Sequence, residues 1–254
     1  MLIANLNPGG PNGGSATQYF VGQFDGNKFT PQDAKIRWVD YGPDEYAGIT
    51  WSNTGNRRIF LGWMSNWQYA NQVPTVKWRN AMTIPRELKL KIVNGDILLA
   101  SEPVREIDKI ASKPYKVNLG GSTHLPKQFM LKMRVTHAKN YSLEFINKTG
   151  EKLIVGYDKI TNRYFIDRSK SGKTDFNPAF AKMAYGLRLT NENASDLQLV
   201  VDASSIELFA DNGLTVMTAT FFPSSPFNRL RIESNGALPV FQGAKIWPLL
   251  STWR

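Results

Sequence analysis

The chain has 254 residues, enough for one large or two ordinary domains, and 42% of them are hydrophobic and 12% aromatic. This composition is typical of a globular protein with a substantial core and excludes an intrinsically disordered chain. The 31 Lys and Arg residues outnumber the 21 Asp and Glu residues, for a net charge of +10. Because these basic residues are scattered rather than gathered in one arm, we expect a solvated surface and no nucleic acid partner.

Several kinds of site are excluded by what the sequence lacks. It contains no cysteine, so disulfide bonds and thiolate metal sites are ruled out. No stretch is long and apolar enough to span a bilayer, and no membrane partner is expected. His124 and His137 have no carboxylate at metal-ligand spacing around them, so we predict neither a metal site nor a cofactor.

The first hundred residues are predicted to form short strands joined by turns. Asp25-Gly26 and Asn94-Gly95 are typical hairpin turns, and a loop rich in Gly, Pro and Asn follows the first strand. We expect the two strands on either side of the turn at residues 53–56 to be buried. The predicted strands are Met1–Leu6, Thr17–Phe24, Lys28–Trp38, Asp40–Trp51, Arg57–Trp63, Ala81–Pro85, Glu87–Val93 and Asp96–Ala100.

The composition changes at Ser101. Val104, Ile107 and Ile110 follow at roughly helical spacing, which predicts one or two helical turns that act as a linker over residues 101–114. From residue 115 to 254, apolar and polar residues alternate in short runs separated by turns, as in an antiparallel β-sandwich. The fold class predicted for the whole chain is all-β. Strands of the sandwich are expected at Phe129–Val135, Tyr141–Ile146, Leu153–Tyr157, Tyr164–Asp167 and around Leu197–Val201 and Ile206–Leu208.

Carboxylates and indoles are concentrated between Asp40 and Trp67, at the ends of predicted strands. A carboxylate accepts hydrogen bonds from sugar hydroxyls while an indole packs on the apolar face of the ring, so this combination suits carbohydrate. Packing of Trp51, Trp63 and Trp67 in the core is the structural alternative.

Asp40 with Asp44 or Glu45 is the only pair of close carboxylates beside aromatic residues. A retaining glycosidase needs two carboxyl groups about 5–5.5 Å apart. Residues four apart on one strand are roughly 13 Å apart at ~3.3 Å per residue, although Gly42-Pro43 allows the segment to fold back. A turn-forming Asp before Gly is the alternative interpretation. For Asp167-Arg168-Ser169 we favour a structural charge pair within a hairpin.

Several long blocks, in order, resemble glycoside hydrolase family 32, which holds invertases, levanases and inulinases. NPGGPNGGSATQYFVGQFDG, DYGPDEYA, GWMSNWQY and WRNAMTIPREL are similar to its later propeller blades. IDRSKSGKTDF and LQLVVDASSIELFADNGLTVMTATFFP are similar to its C-terminal β-sandwich. The resemblance implies the later blades of a five-bladed β-propeller over residues 1–100, followed by the sandwich over 115–254.

The resemblance also implies where the chemistry lies. The family's nucleophilic Asp, stabilising Asp and acid/base Glu stand in NDPNG-, RDP- and EC-type motifs, and none of these motifs is present. We therefore expect no catalytic residue in this chain, and no activity from the chain alone, with the catalytic carboxylates upstream of residue 1. By the same resemblance, Asp40 contacts the sugar beyond the scissile bond and Trp63 lines the same pocket. Pro43 stands where plant members carry Lys, so their substrate selection does not carry over.

Two functions are compatible with these features. The chain is either the C-terminal part of a retaining hydrolase of β-fructosidic bonds in levan, inulin or sucrose, or a stand-alone carbohydrate-binding or structural module. The implied partner is a fructan or a sucrose-type carbohydrate. The family's members suggest an extracellular or periplasmic location. If neighbouring blades are missing, we expect self-association through an open propeller edge.

Overall fold

A computed structural model of the chain describes residues 1–136, 139–234 and 240–252. His137, one of the two histidines considered above, lies outside them. Within the described residues the only helical element is a 3₁₀ helix, Arg105–Ile110, and the all-β prediction is confirmed. No helix in this part of the chain is long and apolar enough to cross a membrane.

The first region is made of short antiparallel strands in three separate sheets. β1 pairs with β2, β3 pairs with β4, and a larger sheet has the order β5-β6-β8-β9, with β7 paired to β6. This arrangement matches part of a propeller, and a full closed propeller is not seen in the described residues. The strands are β1 Leu2–Leu6, β2 Ala16–Phe20, β3 Gly22–Phe24, β4 Phe29–Pro31, β5 Tyr46–Thr50, β6 Ile59–Met64, β7 Ala81–Met82, β8 Arg86–Val93 and β9 Asp96–Pro103.

The hairpin turns of this region form where they were predicted. Asp25 closes the β3–β4 hairpin, since its amide donates to the Lys28 carbonyl at 3.2 Å. Asn94 and Gly95 connect β8 to β9 with φ values of 52° and 85°, which a two-residue turn of this kind requires. β9 continues to Pro103, three residues beyond its predicted end at Ala100.

The prediction that both strands flanking residues 53–56 are buried was wrong for β5. β6 is largely buried, but Ile49 of β5 is 63% exposed and Trp51, just after it, is 48% exposed. The reason is topological, because β5 is the edge strand of its sheet and no described strand pairs with its outer side, where the Asn5 side chain of β1 binds the amide and carbonyl of Gly48. Alternation of apolar residues does not reveal whether an edge strand has a neighbour.

The second region is a sandwich of two six-stranded antiparallel sheets, with strand orders β10-β21-β12-β17-β18-β19 and β11-β20-β13-β14-β15-β16. Its core lies between the sheets, where Leu131, Phe145, Leu153 and Leu208 are fully buried. The strands are β10 Tyr115–Lys116, β11 Thr123–His124, β12 Phe129–Thr136, β13 Tyr141–Ile146, β14 Lys152–Asp158, β15 Arg163–Lys170, β16 Ala184–Leu187, β17 Ser195–Val201, β18 Ser205–Ala210, β19 Thr215–Thr220, β20 Arg229–Ser234 and β21 Val240–Pro248.

The two regions meet along β19, the last strand of the first sandwich sheet. Tyr41 donates its amide to the Val216 carbonyl at 2.7 Å and contributes its side chain to the sandwich core. Asp44 donates its amide to the Thr218 carbonyl at 3.1 Å. The boundary between the regions, predicted at residues 101–114, stays a prediction.

Candidate functional site

Three aromatic side chains lie together at the exposed side of β5 and β6. Tyr46 opposes Trp63 in the register of the two strands, and their ring centroids are 6.3 Å apart in an edge-on arrangement. Trp67 follows β6, and its ring centroid is 5.0 Å from that of Trp63. Trp67 is 50% exposed and Met82, the register partner of Trp63 on β7, is 52% exposed. We call Tyr46, Trp63 and Trp67 the aromatic cluster.

The local sequence explains why the cluster is exposed. A register shift separates Tyr46 from Ile49, and Ala47 in between has a φ of 52°, so β5 bends at the start of the strand. Trp67 is held at the turn after β6, where its amide donates to the Ser15 hydroxyl at 3.2 Å. The core alternative is therefore excluded for Trp51 and Trp67, which are about half exposed, and Trp63 is only partly buried. Partly exposed rings beside one another suit stacking against sugar.

Asp40 is held in a different environment from the cluster. It is 1% exposed. Its Oδ1 accepts from the amides of Gly42 and Thr218 at 2.7 and 2.9 Å. Its Oδ2 accepts from Arg86 Nη1 and the Thr218 hydroxyl at 2.8 and 2.6 Å. A carboxylate has about four acceptor positions, and protein donors fill them here. The prediction that Asp40 contacts the sugar stays a prediction, and such a contact requires one of these bonds to be given up.

Arg86 is the counterion of Asp40 and is fully buried. Its Nη2 donates to Glu207 of β18 at 2.6 Å and to the Thr218 hydroxyl at 2.6 Å. Burial opposes the charge on Arg86, but Glu207 and Asp40 outweigh burial and keep its pKa above the ordinary value. Burial raises the pKa of Glu207. Sequence reasoning missed this contact, because Arg86 and Glu207 are 121 residues apart and no local pattern links them.

Asp44 is equally enclosed, with no exposed surface. Its Oδ1 accepts from the Tyr69 hydroxyl at 2.5 Å, and its Oδ2 from the Thr220 amide and hydroxyl at 2.7 and 2.9 Å. Arg168 of β15 also donates to Asp44 Oδ2. Arg168 therefore does take part in a structural charge pair, but its partner lies in the first region rather than in its own hairpin. Asp40 and Asp44 therefore bind different buried arginines, and the prediction that this chain holds no catalytic residue stays a prediction.

Glu45 lies between these two carboxylates in sequence and behaves differently. Its Oε1 accepts from the Thr17 hydroxyl at 3.1 Å, while Oε2 is buried without a hydrogen-bond partner. Burial raises the pKa of Glu45 to about 8, and Asp40 adds to the shift. The carboxyl occupies space that Gly62 leaves open, because a Cβ on Gly62 would lie 2.4 Å from Oε1.

The described residues contain no group of three or more His, Asp and Glu side chains arranged to hold a metal ion. His124 lies at the end of the short strand β11, where its carbonyl accepts from the Tyr115 hydroxyl at 2.7 Å.

Family models match the chain along nearly its whole length. The model for the N-terminal domain of glycosyl hydrolases family 32 matches residues 1–103, and the model for the C-terminal domain of family 32 matches residues 102–248. The chain belongs to glycoside hydrolase family 32. The resemblance carried by the blocks described above is thereby confirmed, including the order of propeller blades and sandwich.

Curated relatives of this family 32 chain include fructan hydrolases from bacteria and fungi. A levanase of Bacillus subtilis (strain 168) is 38% identical over the whole chain, which covers 40% of the levanase. An extracellular exo-inulinase of Aspergillus awamori is 35% identical over the whole chain, which covers 52% of that enzyme. The chain thus spans about half or less of the length of the curated relatives that it matches.

Solved structures agree with the observed fold. The exo-inulinase from Aspergillus awamori superimposes with a TM-score of 0.88 at 33% identity, over 99% of this chain and 53% of that one. A β-fructofuranosidase from Schwanniomyces occidentalis, complexed with fructosyl-erythritol, gives a TM-score of 0.78 at 27% identity, over 96% of this chain and 55% of that one. Both comparisons extend over propeller and sandwich.

Proposed function

We propose that this family 32 chain forms the later blades and the sandwich of a retaining β-fructosidase that hydrolyses levan, inulin or sucrose. The observation that carries the proposal is the aromatic cluster, in which Trp67 is half-exposed and Tyr46 and Trp63 are partly buried beside it. In the proposed site, Trp63 contacts a fructosyl unit and Asp40 belongs to the same wall. The names of the levanase and exo-inulinase relatives support a fructan as substrate, and the extracellular relatives support secretion.

The reacting groups are proposed to lie outside this chain. A retaining mechanism needs one carboxylate to attack the anomeric carbon and a second carboxyl to protonate the leaving oxygen and later activate water. Asp40 and Asp44 are saturated by buried donors and bound to different arginines, so they are unsuited to either role. Stacking on the cluster places a sugar but does not lower the barrier unless it strengthens in the transition state.

The test is an activity assay on two polypeptides. The purified chain is incubated with sucrose, inulin and levan, and the assay is repeated with the upstream blades joined to it in one polypeptide. We expect no turnover by the chain alone and turnover by the longer polypeptide. Turnover by the chain alone, abolished by Asp40→Asn or Asp44→Asn, would place the catalytic centre in the Asp40 segment and overturn the proposal.

A second function, a non-catalytic carbohydrate-binding module, is favoured by a groove of about 760 Å³ between the two regions. Trp78 on one wall is 48% exposed, and Lys173 and Asp175 on the other have no ion pair within the described residues. Binding of levan and inulin to the chain, measured by affinity electrophoresis, separates the two functions. If the polysaccharide retards the parent chain and Trp63→Ala in the gel but no longer retards Trp78→Ala, the binding-module function is favoured.

A further inference from the structure

The segment from Asp40 to Asp44 acts as an added strand on the sandwich. Beyond its backbone bonds to Val216 and Thr218, it approaches β19 so closely that a Cβ on Gly42 would lie 2.1 Å from the Thr218 amide nitrogen. Only glycine fits there without moving one backbone away from the other. Contact this close between two main chains fixes the position of the segment relative to β19.

The two carboxylates of this segment bind β19 in the same way. Thr218 gives both its amide and its hydroxyl to Asp40, and Thr220 gives both to Asp44. Because residues two apart in a strand are oriented alike, the two hydroxyls lie on the same face of β19 and the two amides point to the same edge. Each carboxylate also binds one buried arginine, Asp40 through Arg86 and Asp44 through Arg168. The segment is thus held at both of its ends.

This anchored segment leads directly into β5, the strand that carries Tyr46 of the aromatic cluster. Glu45 follows Asp44, and Tyr46, the first residue of β5, is the register partner of Trp63. No described strand pairs with the outer edge of β5, although the Asn5 side chain binds Gly48 there. The position of β5 therefore depends on β6, on Asn5 and on the anchored segment before it. A shift of the segment on β19 would therefore be transmitted to the aromatic cluster.

We propose that Asp40 and Asp44 are positioning residues, through which the edge strand of the sandwich sets the geometry of the aromatic cluster. This inference rests on the proposed function, in which the cluster contacts the fructosyl unit. It assigns the sandwich a part in shaping the sugar site, although no sandwich residue belongs to the cluster. It also gives the two carboxylates a role that needs no direct contact with sugar.

The test uses isosteric substitutions on β19 in the intact chain. Thr218→Val and Thr220→Val each remove one hydroxyl that binds a positioning carboxylate. Thr215→Val is the matched control, because Thr215 is buried in the same strand but gives its hydroxyl to the Leu187 carbonyl inside the sandwich, at 2.6 Å. All three variants lose a buried hydrogen bond, so all three should have a lower melting temperature.

The readout is the circular dichroism couplet of the Trp63–Trp67 pair, assigned by its absence in Trp67→Phe. We expect Thr218→Val and Thr220→Val to lose most of the couplet, while Thr215→Val keeps it. Hydrogen exchange of β5 should accelerate roughly fivefold in the first two variants, as the loss of one hydrogen bond implies. An unchanged couplet and unchanged β5 exchange in both variants, or equal changes in the control, would overturn the proposal. Since no sugar is added, failure here leaves the proposed function untouched.

Discussion

The guanidinium carbon of Arg168 lies 3.8 Å from the centroid of the Phe180 ring, and Arg168 Nε donates to the Phe180 carbonyl at 2.8 Å. The same guanidinium reaches Asp44 and the Tyr69 hydroxyl of the first region. One buried side chain therefore joins an aromatic group of the sandwich to the anchored segment. Only the planar guanidinium group of arginine both stacks on an aromatic ring and donates several directed hydrogen bonds.

Replacing Arg168 should destabilise the protein strongly. Arg168→Met leaves Asp44 without a counterion in a buried site, and breaking such a pair costs about 3–5 kcal/mol. Arg168→Lys should recover only part of the lost stability, since lysine reproduces the charge but not the planar guanidinium group. Urea unfolding measures the change in free energy, with Arg163→Met as the control because Arg163 is exposed on the same strand. A loss in Arg168→Met no larger than in the control would contradict the expectation.

The stability of the chain should fall as pH rises from about 4.5 to about 8, partly because of Glu45. The folded-state pKa of Glu45 is about 8, against an ordinary value of 4.5, since burial disfavours the charged form. In this window the folded state keeps a proton that the unfolded state releases, so raising the pH favours unfolding, by up to about 1.4 kcal/mol per pH unit. The contribution is constant below the lower value and again above the upper one.

Glu45→Gln isolates this effect from that of the other carboxyl groups. The variant should match the parent near pH 4 and exceed its free energy of unfolding at pH 8, because the amide does not ionise. Urea titrations of both proteins at several pH values measure the difference. Parallel pH profiles for parent and variant would show that Glu45 is ionised in the folded protein over the whole window.

The isolated chain should self-associate through the open edge of β5. Ile49 is 63% exposed on that strand, and an edge strand with an exposed apolar side chain and no paired neighbour favours pairing with another chain. Ile49→Lys should shift the association measured by sedimentation velocity towards monomer. Ile92→Lys is the control, because Ile92 is 80% exposed on β8, which is not the edge strand of the sheet, and pairs with Ile97 of β9. Hydrogen exchange should also be faster in residues 1–100 than in 115–254. A clean monomer with uniform protection would count against the open edge.

The sandwich should fold alone. Its buried cluster lies between its own two sheets, with Tyr41 the only buried contributor from the first region among the described residues. A polypeptide beginning at Lys113 should show one cooperative thermal transition, at a lower temperature than the whole chain because the donors of β19 lose their carboxylates. A species that binds ANS and melts without cooperativity would place the boundary elsewhere.

In the longer polypeptide, Trp63→Ala should reduce kcat/KM. Loss of stacking and of associated hydrogen bonds typically costs about 1–3 kcal/mol. Asp40→Ala should also impair turnover, either through lost sugar contact or through a displaced β5. Trp51→Ala is the control, because Trp51 is half-exposed outside the cluster. Kinetics equal to the parent in folded Trp63→Ala would assign Trp63 to the scaffold.

The sequence predicted the elements that depend on local patterns. Alternation located β12 to β15 within a few residues, and Asn94-Gly95 marked its turn because both positions need positive φ. Burial of β5 was predicted wrongly, since local alternation does not report the absence of a neighbouring strand. The partners of Asp40 were also beyond reach, because Thr218 lies 178 residues away. Alternating threonines in the buried strand β19 were the one local signal that polar groups there needed partners.

The close approach of Gly42 to Thr218 has a consequence for recombination between relatives. In a chimera that joins this propeller half to another protein's sandwich, residue 42 must remain glycine, because a side chain there would clash with the edge strand of the sandwich. The new sandwich must supply threonine-like donors at two alternate positions of its edge strand, and an acid at the position of Glu207 in the strand next to it. The two halves are therefore exchangeable only as a matched set, whatever the length of the peptide that connects them.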